Sequence, residues 1–151
     1  MEIRILDPRI REWGLPGYQT QGSAAIDLLA CLDAAIEIIP QAPPVLIGAG
    51  IALSFDDFSV AGLILPRSGQ GHGRGLVLGN STGLIDPDYT GEILISTWNR
   101  NPPGTAPIAV RPGERIAQMI FVPVVRPAFT VVDSFSRSTA RAAGGFGSTG
   151  A

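Results

Sequence analysis

Nineteen glycines and thirteen prolines lie scattered along this chain with no fixed period, and that punctuation limits its fold more than any other feature. Proline removes a backbone donor and fixes φ, while glycine inside a regular element costs backbone entropy. Long helices therefore have almost nowhere to form. The two residues make up about a fifth of the chain, against roughly an eighth in average usage. Between the breakers remain short apolar runs of period two, at residues 3–6, 25–29, 35–39, 45–55, 60–65, 75–79, 92–98, 107–110, 115–122 and 129–132. Turn clusters such as Pro43-Pro44, Pro102-Pro103-Gly104 and Arg111-Pro112-Gly113 separate them. Short strands at this spacing predict an all-β fold, a jelly-roll-like β-barrel or sandwich. The one helical expectation is a single turn at residues 56–59. No solenoid-type repeat occurs.

A chain of 151 residues suits one domain. The strand pattern stops near Asp133, so the reading is a β domain over residues 1–132 and a polar, flexible C-terminal arm over residues 133–151. Eleven basic against thirteen acidic residues leave a net charge of −2. General nucleic-acid binding needs a broad basic footprint, and none is present, so no nucleic-acid partner is expected. No apolar run approaches the ~18 residues of a membrane span, and the N-terminal stretch lacks the pattern of a targeting segment. The expected location is cytoplasmic, with no membrane partner. Cys31 is the single cysteine and His72 the single histidine. An intrachain disulfide cannot form, and neither a structural zinc site nor a Cys-His or Ser-His-Asp nucleophile is expected.

Four internal stretches carry polar residues at strand ends. Pro66-Arg67-Ser68-Gly69-Gln70-Gly71 follows directly on an apolar run. A guanidinium, a hydroxyl and exposed backbone N–H groups together form an anion site, although a plain loop fits the same letters. The stretch NSTGLIDPDYTG, residues 80–91, offers Asn80, Asp86, Asp88 and Tyr89 at the tip of a hairpin whose arms would be residues 75–79 and 92–96. Asp before Pro is ordinarily a turn. Flanked by Leu84, Ile85 and an aromatic ring, one such carboxylate can also serve as general base for a water. Asp27 ends the stretch GSAAID, and Arg115 and Gln118 stand in the apolar run RIAQMIF. Polar groups there need partners, which are either one another or a ligand.

The last stretch, Gly145-Phe146-Gly147-Ser148-Thr149-Gly150, matches the dinucleotide pattern G-x-G-x-x-G. That pattern works only where a helix N-terminus follows to hold the pyrophosphate. Only Ala151 follows here, so a dinucleotide cradle is not expected. Phe146, with Arg141 upstream, instead suggests an arm that orders over a ligand.

Taken in order, QGSAAID, PRSGQG, GNSTGLIDPDYTGEI, RIAQMIF and RAAGGFGSTG resemble the five motifs of the trimeric dUTP pyrophosphatase (dUTPase) family, across residues 21–150. The resemblance implies a homotrimer with active sites shared between subunits and Mg²⁺-dependent hydrolysis of dUTP to dUMP and pyrophosphate. Such a reaction limits uracil in DNA and supplies dUMP for thymidylate synthesis. It implies Asp86 as the carboxylate that activates the water attacking the α-phosphorus. Asn80 would belong to the uracil-reading hairpin and Tyr89 would pack on the deoxyribose, with Leu84, Ile85 and Leu94 as further substrate contacts. Arg67, Ser68 and Gly69 would bind phosphate, with Gln118 adding a contact. Asp27 would reach through water to a Mg²⁺ held mainly by the triphosphate. Arg141 and Phe146 would close over the γ-phosphate and the base. Triphosphate hydrolysis is chiefly positioning and charge neutralisation, so no nucleophilic side chain is required.

Ala25 and Ala142 stand where the family often carries glycine, and a left-handed backbone at either would be strained. Where the family often has a basic residue and a second histidine, this chain reads His72-Gly73-Arg74, and Arg74 is expected to supply the basic contribution. Two alternatives remain. A dCTP deaminase-like enzyme of the same fold would need a glutamate where Ser96 stands. A non-catalytic nucleotide-binding homologue would not need Asp86.

Overall fold

The computed structural model describes residues 1–140 and 142–144. Its strands are β1 (Glu2–Ile5), β2 (Ile26–Leu29), β3 (Ile36–Ile38), β4 (Val45–Ser54), β5 (Val60–Pro66), β6 (Leu76–Leu78), β7 (Gly83–Ile85), β8 (Glu92–Asn99), β9 (Ile108–Val110) and β10 (Arg115–Pro123). One four-stranded sheet runs β1-β4-β8-β6, a second runs β2-β10-β5-β7, and β3 pairs with β9. Every ladder between these strands is antiparallel. The expected all-β sandwich is the observed one.

Alternation along β8 shows how sequence becomes packing. Ile93, Ile95, Thr97 and Asn99 point inward and are buried, while Leu94 on the opposite face is exposed. The two buried polar residues are satisfied by backbone: Thr97 Oγ1 donates to the Val45 carbonyl at 2.8 Å, and Asn99 Nδ2 donates to the Ile38 carbonyl at 2.9 Å. Ile47, Ile51, Ile93 and Ile95 of the first sheet join one core with Leu28, Ile64, Ile116 and Met119 of the second. Each such side chain contributes about 1.5–3 kcal/mol relative to exposure.

Four local features differ from the sequence expectation. Residues 129–132 form no strand, and Phe129 and Val131 stand 91% and 99% exposed. Their alternation suits a sheet, but they pair with no strand among the described residues. Residues 56–59 are turns rather than helix. A short helix, α1 (Arg9–Trp13), buries Ile10 in the core and sets the Arg9 guanidinium 5.3 Å from the Trp13 ring centroid. The fourth is β7, which does not stay at the tip of a hairpin but crosses to the second sheet. No helix among the described residues is long and apolar enough to cross a membrane.

Cys31 belongs to the packing of α1. Its thiol donates to Asp7 Oδ2 at 3.3 Å, and burial followed by the Asp7 carboxylate raises its pKa to about 11. At pH 8 the thiolate fraction is then on the order of a thousandth, against about a quarter for an unperturbed thiol. Thiol-disulfide reagents at pH 8 are therefore expected to label the native protein at least tenfold more slowly than the urea-unfolded chain. Equal labelling rates would contradict the burial of the thiol together with its contact to Asp7.

Candidate active site

Two loops leave opposite ends of one strand pair. In the β5–β7 ladder Gly62 faces Ile85, Leu63 faces Leu84 and Ile64 faces Gly83. Asp86 follows Ile85 and so lies beside the start of β5, whereas Arg67 follows its end. At about 3.3 Å per residue the two are separated by roughly 15–20 Å along the strand.

At the first end, the turn after β7 is closed by the Tyr89 N–H donating to the Asp86 carbonyl at 3.0 Å. Pro87 is buried, while the side chains of Asp86 and Asp88 are exposed. They border an open recess of about 310 Å³ with Phe58 and Arg126. The Tyr89 hydroxyl donates to the Glu92 carbonyl at 2.9 Å, and its ring remains 41% exposed. A flat face is thus held in a fixed position at the end of the turn that carries Asp86. Leu84 is 61% exposed and Leu94 44%, so both present apolar surface outward. Ile85 is half-buried against the core.

Between β6 and β7 the chain turns through Asn80 and Ser81, with Ser81 at φ 65° and the Thr82 N–H donating to the Asn80 carbonyl at 2.7 Å. Asn80 is exposed at this tip. Gly79 approaches the segment before β4 so closely that a Cβ there would sit 2.3 Å from Pro44 Cγ. The arms β6 and β8 pair as expected, Leu78 facing Thr97.

At the second end, Arg67, Ser68 and Gly69 lead into a π-helical turn, Gly69–Arg74, which Gly75 closes in the left-handed conformation at φ 81°. Ser68 and Gly69 are exposed. Arg67 Nε lies 2.7 Å from Asp27 Oδ1, and Arg115 Nη1 lies 3.4 Å from Asp27 Oδ2. The buried Asp27 carboxylate is thus flanked by two guanidiniums. Gln118 Nε2 donates to the Pro66 carbonyl at 3.0 Å, bracing the residue before Arg67 and leaving its second amide hydrogen for a ligand. The structure therefore brings Asp27, Arg67, Ser68, Gly69 and Gln118 together and keeps Asp86 and the turn to Tyr89 apart from them, while Asn80, before β7, lies beyond the Gly83–Ile64 pair.

Among the described residues no cluster of three His, Cys, Asp or Glu side chains can hold a metal ion. Mg²⁺ does not require such a cage when phosphate oxygens and water complete its octahedron. A single buried carboxylate, Asp27, beside the loop of Arg67, Ser68 and Gly69 fits that outer role.

Arg74 departs from expectation. Its guanidinium pairs with Glu114 and donates to the Ala109 carbonyl at 2.6 Å, on the side of the β9–β10 turn. Glu114 was invisible as a site residue in the sequence, where it reads only as the acid before RIAQMIF. Ala142 adopts φ 41° and Ala25 does not have positive φ, so the left-handed strain falls on the former alone, at a cost of about 1–2 kcal/mol. Arg141 and Phe146 lie outside the described residues.

The dUTPase family model matches residues 11–150. Deoxyuridine 5'-triphosphate nucleotidohydrolases of Acinetobacter baumannii and Paraburkholderia phymatum are each 53% identical to this chain, and that of Shigella flexneri is 52% identical. Each alignment covers 99% of this chain and 97% of the relative. Among solved structures, the dUTPase of Staphylococcus bacteriophage 80alpha with dUPNHPP superposes with a TM-score of 0.82 at 24% identity, covering 99% of this chain and 98% of that one. A mutant dUTPase of phage phi11 of S. aureus, described with a structural Mg(II) ion, gives 0.74 at 21% identity over 90% and 98%. At these identities the two phage structures establish the fold.

Proposed function

This chain belongs to the dUTPase family and hydrolyses dUTP to dUMP and pyrophosphate; we propose that it does so with a site completed between subunits of a homotrimer. The observation that carries this reading is the β5–β7 register, which holds the water-activating end and the phosphate-binding end of one chain apart. A contact that joins one end to the other end of the next copy is heterologous, and such contacts close into a ring when the rotation relating the copies is a whole fraction of a turn, a third in the proposed trimer. Three copies then give three equivalent sites. The exposed apolar side chains of residues 125–135, with Val125 86% and Phe135 89% exposed, offer further surface for a neighbouring subunit.

Within that site Asp86 accepts the proton of a water directed at the α-phosphorus. Tyr89 packs on the deoxyribose and Asn80 reads the uracil, with Leu84, Ile85 and Leu94 shaping the apolar surround. Arg67 and the N–H groups of Ser68 and Gly69 hold the departing pyrophosphate, whose growing charge they neutralise. Gln118 keeps Pro66, and hence this loop, in place. Asp27 would hold through water a Mg²⁺ carried mainly by the triphosphate, an ion that supplies further charge neutralisation. Arg141 and Phe146 would close over the γ-phosphate and base. A free deoxynucleotide as substrate suits a cytoplasmic enzyme.

Deamination of dCTP is not favoured. Ser96 lies on β8 with its hydroxyl turned towards Gly79, and a serine cannot replace the carboxylate that attack on the cytosine ring requires. The test is incubation of the purified protein with dUTP, dCTP, dTTP and UTP in the presence of magnesium, following pyrophosphate and ammonia. Pyrophosphate from dUTP alone is expected. Ammonia from dCTP would overturn the reading.

A further inference from the structure

The phosphate-binding loop is tied to the β9–β10 turn by three side chains that the reaction itself does not use. Gln70 is 8% exposed, and its amide is fully engaged. Its Nε2 donates to Glu114 Oε1 at 3.0 Å and to the Arg115 carbonyl at 3.1 Å, while its Oε1 accepts from Arg74 Nη1 at 2.9 Å. Arg74 pairs in turn with Glu114 Oε1. The second oxygen, Glu114 Oε2, accepts the Arg111 N–H at 3.0 Å. Glu114 therefore receives donors from both sides: the turn that carries it and the π-helical turn that follows the loop.

This cluster reaches the loop along two routes. Gln70 adjoins Gly69, and the Gly71 N–H donates to the Arg67 carbonyl at 2.8 Å, closing the backbone over Ser68. Arg67 Nη1 also approaches the Arg115 carbonyl at 3.4 Å, the same acceptor that Gln70 uses. In the β2–β10 ladder the register shifts between Arg115 and Ala117. Such bulges re-aim backbone and side chains next to active sites.

A loop built as Arg-Ser-Gly-Gln-Gly has many backbone states, and phosphate recognition needs one of them. Ordering it in advance lowers the entropy lost on binding. Burial pushes the Glu114 carboxyl up, but the Arg111 N–H, Gln70 and Arg74 more than offset that and hold it below the usual range. It is therefore charged at neutral pH, and the hydrogen bonds it accepts are of the stronger, charge-assisted kind.

We propose that Glu114, acting through Gln70 and Arg74, is a positioning residue that pre-orders the loop Arg67–Gly69 for the phosphates of dUTP. The proposal rests on the dUTPase reading above. It assigns to Arg74 a role behind the loop rather than a direct phosphate contact, and to Glu114 a role in affinity for the phosphate chain but not for the nucleoside.

The experiment compares wild type with Glu114→Ala, Arg74→Met and the double variant, measuring kcat and KM for dUTP and the inhibition constant of deoxyuridine, which has no phosphates. Each single variant is expected to raise KM for dUTP about tenfold, the loss of one charge-assisted hydrogen bond. The inhibition constant of deoxyuridine should stay within twofold, and the double variant should be no worse than the worse single one, because the residues act as one unit. An unchanged KM, a parallel rise in KM and the deoxyuridine constant, or multiplicative effects in the double variant would each overturn the proposal. Should Glu114→Ala fail to fold, Arg74→Met decides, since it removes only the outer edge of the cluster. Absence of dUTP hydrolysis by the wild type would instead overturn the functional reading, and this proposal with it.

Discussion

Replacing Asp86 with asparagine is expected to lower kcat for dUTP by roughly 10²–10⁴-fold, the range of a lost general base, while dUTP still binds. Asparagine has the size of aspartate but cannot take up a proton from water. The turn that carries residue 86 is held by its backbone, through the Tyr89 N–H on the Asp86 carbonyl and through buried Pro87, so it does not depend on the carboxylate. The side chain is exposed and makes no hydrogen bond among the described residues that folding would lose. Turnover followed by pyrophosphate release, with calorimetry for binding, separates the two effects. Wild-type turnover in Asp86→Asn would remove Asp86 from the role of base. Loss of binding together with turnover would make it a substrate contact instead. Asp88→Asn is the matched control, because Asp88 is equally exposed two residues along.

Truncation after Ala140 is expected to leave the β domain folded and trimeric, with hydrolysis reduced a hundredfold or more, the scale of effect when a closing segment no longer positions its substrate. Folding is expected to survive because, among the described residues, the last strand ends at Pro123 and every residue of the core precedes it. The reason for lost activity is the chemistry of what is removed. In the proposed reaction Arg141 would supply a guanidinium for the γ-phosphate, and Phe146 an apolar cover for the base. Light scattering coupled to size exclusion reports assembly, and the same pyrophosphate assay reports turnover. Full activity in the truncated protein would make residues 141–151 an ordinary tail, and loss of assembly would make them part of the interface.

Strands such as β6, β8 and β9 were legible because buried positions alternate with less buried ones, which writes a period of two into the letters. The run at residues 92–98 reads this way, and β8 follows it to within a residue. β7 escaped because Gly83-Leu84-Ile85 is too short to show any period, and its strand character comes from pairing with β5. The opposite error occurred at residues 129–132, where the alternation is present but the segment pairs with no strand among the described residues. Alternation states what a segment would bury, not whether anything is there to bury it against.

The candidate site divides in the same manner. Residue types and order within GLIDPDY, PRSGQG and RIAQMIF named the carboxylate, the guanidinium and the amide, because each motif packs its chemistry within a few neighbouring positions. Contacts between motifs were out of reach. Asp27 meets Arg67 across 40 positions, and Gln70 meets Glu114 across 44. Arg74 shows the consequence: in sequence it stands beside the phosphate loop and looks like part of it, yet it turns to Glu114 behind the loop.

The amino-acid order alone thus determined the all-β class, most of the strands and the chemical inventory of the candidate site, because period, breakers and motif spacing are local properties. Strand register settled the rest. By pairing Ile85 with Gly62, it sends Asp86 and Arg67 to opposite ends of β5. A pairing between segments some twenty residues apart is decided by which apolar faces share a core, and no short window of sequence contains that information.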